Sequence, residues 1–355
     1  MTKIRLKKND RGRILIRAAN WVGDAVMTTP VVRAVRKNFP RAGITVLAKP
    51  WVVPVYQNNP HVDRIMVYEN EGRHKMGLGT LRLAKDLQAQ QFDLAILMQN
   101  AFEAALLAFL ARIPERLGYN TDGRRLLLNR CIRMDPVLKK GHLIDYYLAL
   151  LSLAGLDTAG RDLELYPGRR DREWSRYFLN EQALSGSGRP VIGINPGSTG
   201  GTAKRWFPER YAQLARNLAA QHQTRIIIFG GPAERELGDE ICAMANGACI
   251  NMAGRTNLSK AFALIGALDL FVTNDSGLMH VAAAQHVNQV AVIGSTDPIA
   301  TAPANKNSVM VRDPVPCAPC LKKDCPTDHK CMDKITVEMV MSACNAFLGK
   351  EGFNG

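Results

Sequence analysis

The sequence predicts an α/β protein of two doubly wound domains, and three observations carry that expectation. At 355 residues the chain exceeds what one ordinary hydrophobic core serves. Short β-rich runs alternate with longer helical patterns from Arg13 onward, the rhythm that builds parallel sheets covered by helices. That rhythm stalls over residues 155–170, where Gly, Asp and Pro fall without periodicity, and restarts at Pro190.

In the first half, Arg13–Arg17 (RILIR) reads as a strand and 24–38 as a helix with apolar Val31, Val32 and Val35. Residues 44–48 and 64–68 are the next strands, 78–90 a helix, 93–98 a strand and 102–111 a helix. A helix over 142–154 closes this half, and the linker falls near 163–168, giving expected domains of 1–166 and 167–355. Beyond it, 190–195, 225–230, 269–273 and 289–293 read as strands. Helices are expected at 208–221, 233–245, 258–267 and 277–285, then a cysteine-rich loop over 317–331 and a C-terminal helix. Two Rossmann-like halves predict a cleft between domains, with ligands at the carboxyl ends of the strands.

Composition narrows the classes. With 46% hydrophobic and 22% charged residues and no low-complexity tract, the chain is globular. Its longest apolar stretches, 104–111 and 261–268, are too short for a membrane span. Lys3, Arg5, Lys7 and Lys8 are followed by no apolar signal-peptide core, so a cytoplasmic location is expected. The net charge of +14 is uneven: residues 1–166 hold 26 Lys and Arg against 15 Asp and Glu, and 167–355 hold 20 against 17. A basic first half fits a phosphate- or carboxylate-bearing partner, nucleic acid or an anionic lipid surface, although excess charge also serves solubility.

Four stretches carry chemistry. Asn20-Trp21-Val22-Gly23-Asp24 places a carboxylate at the top of the first strand, where it serves either as a helix N-cap or as a general base. The run from Asn195 to Trp206, with Thr199, Gly200 and Lys204, offers backbone N–H groups, hydroxyls and a point charge to phosphate oxygens. Ala203 before Lys204 and Arg205 after it exclude a Walker A loop, and no Gly-x-Gly-x-x-Gly follows the first strand. In Thr273-Asn274-Asp275-Ser276-Gly277-Leu278-Met279-His280, Ser276 and Gly277 stand at a helix N-terminus, the usual anion site. Asp275 would repel a diphosphate and so holds the loop or meets a sugar hydroxyl. His280, one turn in, is a phosphate donor or a structural histidine. Glu234, after Gly230-Gly231-Pro232, is placed either to bridge ribose hydroxyls or to sit as a first-turn acid.

Cysteines divide into two groups. Cys131, Cys242, Cys249 and Cys344 lie in apolar surroundings and read as core. Cys317, Cys320, Cys325 and Cys331, with His329 among them, read either as a structural zinc or iron–sulfur site or as a loop of reduced thiols.

Together these motifs resemble those of the heptosyltransferases of lipopolysaccharide core synthesis, within the GT-B glycosyltransferases. The specific part is Trp21-Val22-Gly23-Asp24, Ala203-Lys204-Arg205-Trp206 and the run from Thr273 to Ala284. The Trp-Val-Gly-Asp form is similar to that of the second heptosyltransferases of that route, whose acceptor already carries one heptose. Ile113-Pro114, Gly118-Tyr119 and Leu127-Leu128-Asn129 fit the same group.

The resemblance implies a GT-B fold, an ADP-heptose donor, an anionic heptosyl-Kdo acceptor of the lipopolysaccharide inner core, and inversion at the anomeric carbon. It implies Asp24 as the base, Lys204 and Thr199 on the donor diphosphate in the loop with Gly200, and Asp275, Ser276, Gly277 and His280 completing that pocket. Glu234 would bind ribose, with Glu236 close by, and Thr256 would lie at the adenine. No Asp-x-Asp pair occurs, so a metal-bridged diphosphate is not indicated and no cofactor is expected for catalysis. A peripheral position at the inner face of the cytoplasmic membrane is implied by the lipid acceptor. The rival readings are a first heptosyltransferase or a relative using another donor, a phosphate-loop NTPase, and a nucleic-acid binder. The last is opposed by the scarcity of aromatic platforms among the basic residues, so no nucleic-acid partner is expected.

Overall fold

The computed structural model describes residues 4, 11–186 and 188–349, and the chain divides into two compact units between Tyr166 and Pro167. In the first unit the elements run β1 (Arg13–Arg17), α1 (Val22–Met27), α2 (Thr29–Asn38), β2 (Gly43–Ala48), α3 (Val53–Tyr56) and β3 (Arg64–Val67). They continue as α4 (Leu78–Ala89), β4 (Leu94–Leu97), α5 (Phe102–Leu110), β5 (Glu115–Tyr119), β6 (Arg130–Ile132) and α6 (Leu143–Leu153). The six strands form one parallel sheet in the order β3-β2-β1-β4-β5-β6. Ile14, Leu15 and Ile16 of β1 and all of β4 are buried, as central strands with covered faces require.

The helix expected over 24–38 is two helices. Pro30 cannot donate to the Val26 carbonyl and its ring crowds it, so α1 stops at Met27 and α2 begins at Thr29. Hydroxyls reinforce the carbonyls at the break: Thr28 Oγ1 bonds the Ala25 oxygen at 2.7 Å and Thr29 Oγ1 the Val26 oxygen at 2.8 Å. Because α1 starts at Val22 after an extended Trp21, Asp24 is the third helical residue and not the N-cap.

The second unit holds α7 (Arg169–Glu181), β7 (Ile192–Asn195), α8 (Pro208–His222), β8 (Ile226–Ile228), α9 (Arg235–Met244), β9 (Cys249–Asn251) and α10 (Leu258–Ile265). It ends with β10 (Leu270–Asn274), α11 (Gly277–Ala284), β11 (Gln289–Val292), β12 (Ser308–Val311), α12 (Lys330–Asp333) and α13 (Val337–Leu348). Its sheet is again parallel, in the order β12-β11-β10-β7-β8-β9. Ile192, Ile194, Val272 and Val290 of the sheet pack with Trp206, Tyr211 and Leu214 of the α8 side and Val340 and Cys344 of α13 in one core.

The two doubly wound domains expected from the sequence are therefore present. Four short strands, β5, β6, β9 and β12, were not expected, nor was α7, whose largely charged sequence buries only Ser175 and Leu179. The helix expected over 233–245 opens instead with a 3₁₀ turn, Pro232–Glu234, before α9. Among the described residues no helix is long and apolar enough to cross a membrane.

Candidate functional site

In the second unit, the neighbouring strands β10, β7 and β8 end in polar loops, and those after β7 and β10 hydrogen-bond to each other. β7 ends at Asn195, whose Nδ2 lies 3.0 Å from Ser276 Oγ and 3.3 Å from both Thr273 Oγ1 and the Gly197 carbonyl. β10 ends at Asn274, which donates to the Pro196 carbonyl at 2.6 Å and accepts from the Trp206 N–H at 3.2 Å and the Tyr211 hydroxyl at 2.7 Å. These two asparagines fix the 196–206 loop to the start of α11. Sequence reasoning did not single them out, although a polar residue ending an apolar strand twice over was the available signal.

Lys204 and Asp275 are brought together. Lys204 Nζ lies 3.1 Å from Asp275 Oδ2, with the two side chains 27% and 6% exposed. Asp275 also accepts from Thr301 Oγ1 at 3.4 Å, so it holds the loops and aims the lysine. Ser276 is the N-cap of α11, its Oγ accepting from the Met279 N–H at 3.4 Å, and Gly277 is the first helical residue. One turn on, His280 is buried. Thr199 and Gly200 form the exposed tip of the 196–206 loop, and a Cβ on Gly200 would stand 3.3 Å from Lys204 Cε.

Glu234 belongs to the same group of loops. It is buried, its Oε2 accepts the Gly231 N–H at 2.8 Å, and its carboxylate lies so close beneath Gly197 that a Cβ there would overlap it. Its other oxygen stands 3.9 Å from Arg205 Nη2 and has no hydrogen-bond partner among the described residues; Arg205 Nε has none either. Buried polar atoms left this way are costly unless a ligand or water completes them. Glu236, the alternative acid, is exposed on α9. Thr256 is half-buried between β9 and Asn257, the N-cap of α10.

Asp24 lies in the first unit, half-buried in the first turn of α1 at the carboxyl end of β1. The loop before it is pinned: Trp51 Nε1 donates to the Asn20 carbonyl at 2.8 Å and Arg17 Nη2 to Asn20 Oδ1 at 2.9 Å. Burial raises the Tyr147 phenol well above its ordinary value, and the nearby Asp24 charge adds to it. Arg17 is fully buried and Lys49 partly so. Desolvation pulls both below their ordinary values, and for Lys49 the Arg17 charge acts in the same direction. Arg17 and Lys49 are thus neighbouring cations at the ends of β1 and β2, with the Glu103 charge acting on both.

The cysteine-rich loop lies against the 196–206 loop, which the sequence did not indicate. Lys323 O accepts the Ala203 N–H at 3.1 Å, and Asp324 Oδ1 accepts the Thr202 N–H at 3.3 Å and hydroxyl at 2.7 Å. All eight cysteines are free thiols. Burial raises the Cys331 thiol, and the charges of Cys317, Cys320 and Cys325 act in the same direction, so the four are neighbours. Among the described residues, however, no group of three or more His, Cys, Asp or Glu side chains is arranged to hold a metal ion.

Known proteins share this architecture and sequence. Residues 80–331 match the model of glycosyltransferase family 9 (heptosyltransferase). The chain is 33% identical to lipopolysaccharide heptosyltransferase 2 of Salmonella typhimurium over 353 residues, covering 96% of this chain and 99% of that protein. The solved structure of E. coli ADP-heptose lps heptosyltransferase II superposes with a TM-score of 0.80 at 30% identity, covering 96% of this chain and 99% of that one. A family 9 glycosyl transferase from Veillonella parvula superposes with a TM-score of 0.88 at 25% identity, covering 98% and 100%. Likeness of this extent, in sequence along nearly the whole chain and in both sheets, means that the chain belongs to glycosyltransferase family 9 and is a glycosyltransferase.

Proposed function

We propose that this enzyme transfers L-glycero-D-manno-heptose from ADP-heptose to the heptosyl-Kdo inner core of lipopolysaccharide, with inversion at the anomeric carbon. The observation that carries the donor side is the convergence of the β7, β8 and β10 loops around Lys204. One ammonium, the N-terminus of α11 and a buried carboxylate with a free acceptor oxygen stand there as one group. In this reading Lys204, Thr199, Gly200 and the N–H groups of Ser276 and Gly277 receive the diphosphate, with His280 behind them. Glu234 accepts from ribose, and Asp275 holds Lys204 in place. Relatives named lipopolysaccharide heptosyltransferase 2 and ADP-heptose lps heptosyltransferase II support the choice of sugar and acceptor.

Chemically, inversion is a single displacement. Asp24 takes the proton from the acceptor hydroxyl as its oxygen attacks the anomeric carbon, and the bond to ADP breaks with its charge received by Lys204 and the α11 terminus. The first unit, with Arg17 and Lys49 at its strand ends and an excess of eleven positive charges over 1–166, receives the anionic acceptor at the inner face of the cytoplasmic membrane.

A transfer assay with ADP-heptose and a panel of truncated core acceptors tests the reading. Asp24→Asn is expected to lower turnover by about 100- to 10,000-fold, the usual worth of a positioned base, with ADP affinity measured by calorimetry unchanged. Near-normal turnover in that variant removes Asp24 as the base. Failure to use ADP-heptose with any core acceptor removes the reading as a whole.

A further inference from the structure

Lys204 is delivered by a single 3₁₀ turn, Thr202–Lys204. A turn of three residues does not hold itself: nucleation is unfavourable, and the first N–H groups have no partner within the turn. Here those donors are Thr202 and Ala203, and both are satisfied from more than 100 residues away. Asp324 Oδ1 takes the Thr202 N–H and hydroxyl, and the Lys323 carbonyl takes the Ala203 N–H. Gly201, at φ +113°, is in the backbone region that favours glycine, and a Cβ on it would collide with the Lys323 carbonyl. The two loops are therefore built against each other.

The loop that supplies these acceptors is itself anchored on either side of them. Cys320 and Leu321 donate their N–H groups to the Ser295 carbonyl, beyond β11, at 3.1 and 3.0 Å. Downstream, Cys331 and Met332 pack so tightly on Gly294 that a Cβ there would lie 3.0 and 2.9 Å from their sulfurs. Just beyond, the Ile335 carbonyl accepts the Trp206 indole N–H at 2.9 Å.

We propose that the 317–331 loop clamps the donor loop, and that Asp324 is a positioning residue which sets Lys204 through Thr202. This rests on the donor reading above. The bonds from Thr202 hold the Asp324 carboxyl below the usual aspartate range.

The test is calorimetry with ADP and steady-state kinetics on Asp324→Ala, Asp324→Asn, Thr202→Val and the Ala/Val double variant, with thermal melts alongside. Asp324→Ala is expected to raise the ADP Kd and the donor KM about five- to tenfold, the worth of one or two exposed hydrogen bonds, with the acceptor KM unchanged. Asp324→Asn keeps an acceptor oxygen and restores most of the affinity. The double variant is no weaker than Asp324→Ala, since both changes remove the same contact. Asp324→Ala with parental ADP Kd and donor KM overturns the clamp alone. A parent that binds no ADP overturns the donor reading and the clamp with it.

Discussion

Lys204 and Asp275 show how one residue pair carries both the site and its stability. Asp275 is almost fully buried, and Lys204 is its ion-pair partner. Removing one member of a fully buried pair costs roughly 3–5 kcal/mol, and less here because Lys204 is partly exposed to water. Lys204→Ala is therefore expected to lower the melting temperature and to weaken ADP binding together, read by thermal melts and calorimetry. Unchanged ADP affinity in that variant would take Lys204 out of the donor site. Both residues were legible in the sequence because each lies in a loop that follows a strand, where Rossmann-like sheets bind ligands. Their pairing was not legible, since 71 residues separate them. The same holds for Asn195 and Asn274, whose partners lie up to 81 residues away.

Among the elements, the strands read correctly were mainly the central ones. β1, β4, β7, β10 and β11 are apolar runs buried on both faces, and burial of that kind is written in composition. The strands missed lie at or beside sheet edges and are three to five residues long. Their conformation comes from pairing with a neighbour, and local propensity carries little of it. Trp206 gives the element scale its prediction. It is fully buried, stacks edge-to-face on Tyr211 at 5.0 Å and donates to the Ile335 carbonyl, so it joins the donor loop to α8 and the chain before α13. Trp206→Phe removes the indole bond and leaves a gap beside Tyr211, while Arg210 Nη1 still bonds the Ile335 carbonyl at 2.7 Å, so the expected cost in denaturant unfolding is about 1–2 kcal/mol. A variant as stable as the parent would show that the indole is not a tie.

For the whole molecule, two units with separate sheets predict separate responses to ligand. With ADP at 100 times its Kd, the state that binds it gains about 2.7 kcal/mol. Hydrogen exchange is expected to slow at 196–207, 230–234 and 275–280 and to remain unchanged around Asp24. Protection confined to the first unit would reverse the assignment of donor and acceptor.

The sequence by itself determined the class of fold, because alternating apolar strands and amphipathic helices encode their own burial. It also determined which polar residues lie in the segments that follow strands, Asp24, Lys204, Glu234, Asp275 and Ser276 among them. Only the tertiary structure decided how those residues are held. Asp24 became the third residue of a helix cut short by Pro30, and Glu234 was seated under Gly197. Asp324 was brought to the turn that carries Lys204. The physical reason is range: burial periodicity repeats within a few residues, whereas a hydrogen bond across 122 residues leaves no mark on either of its neighbourhoods.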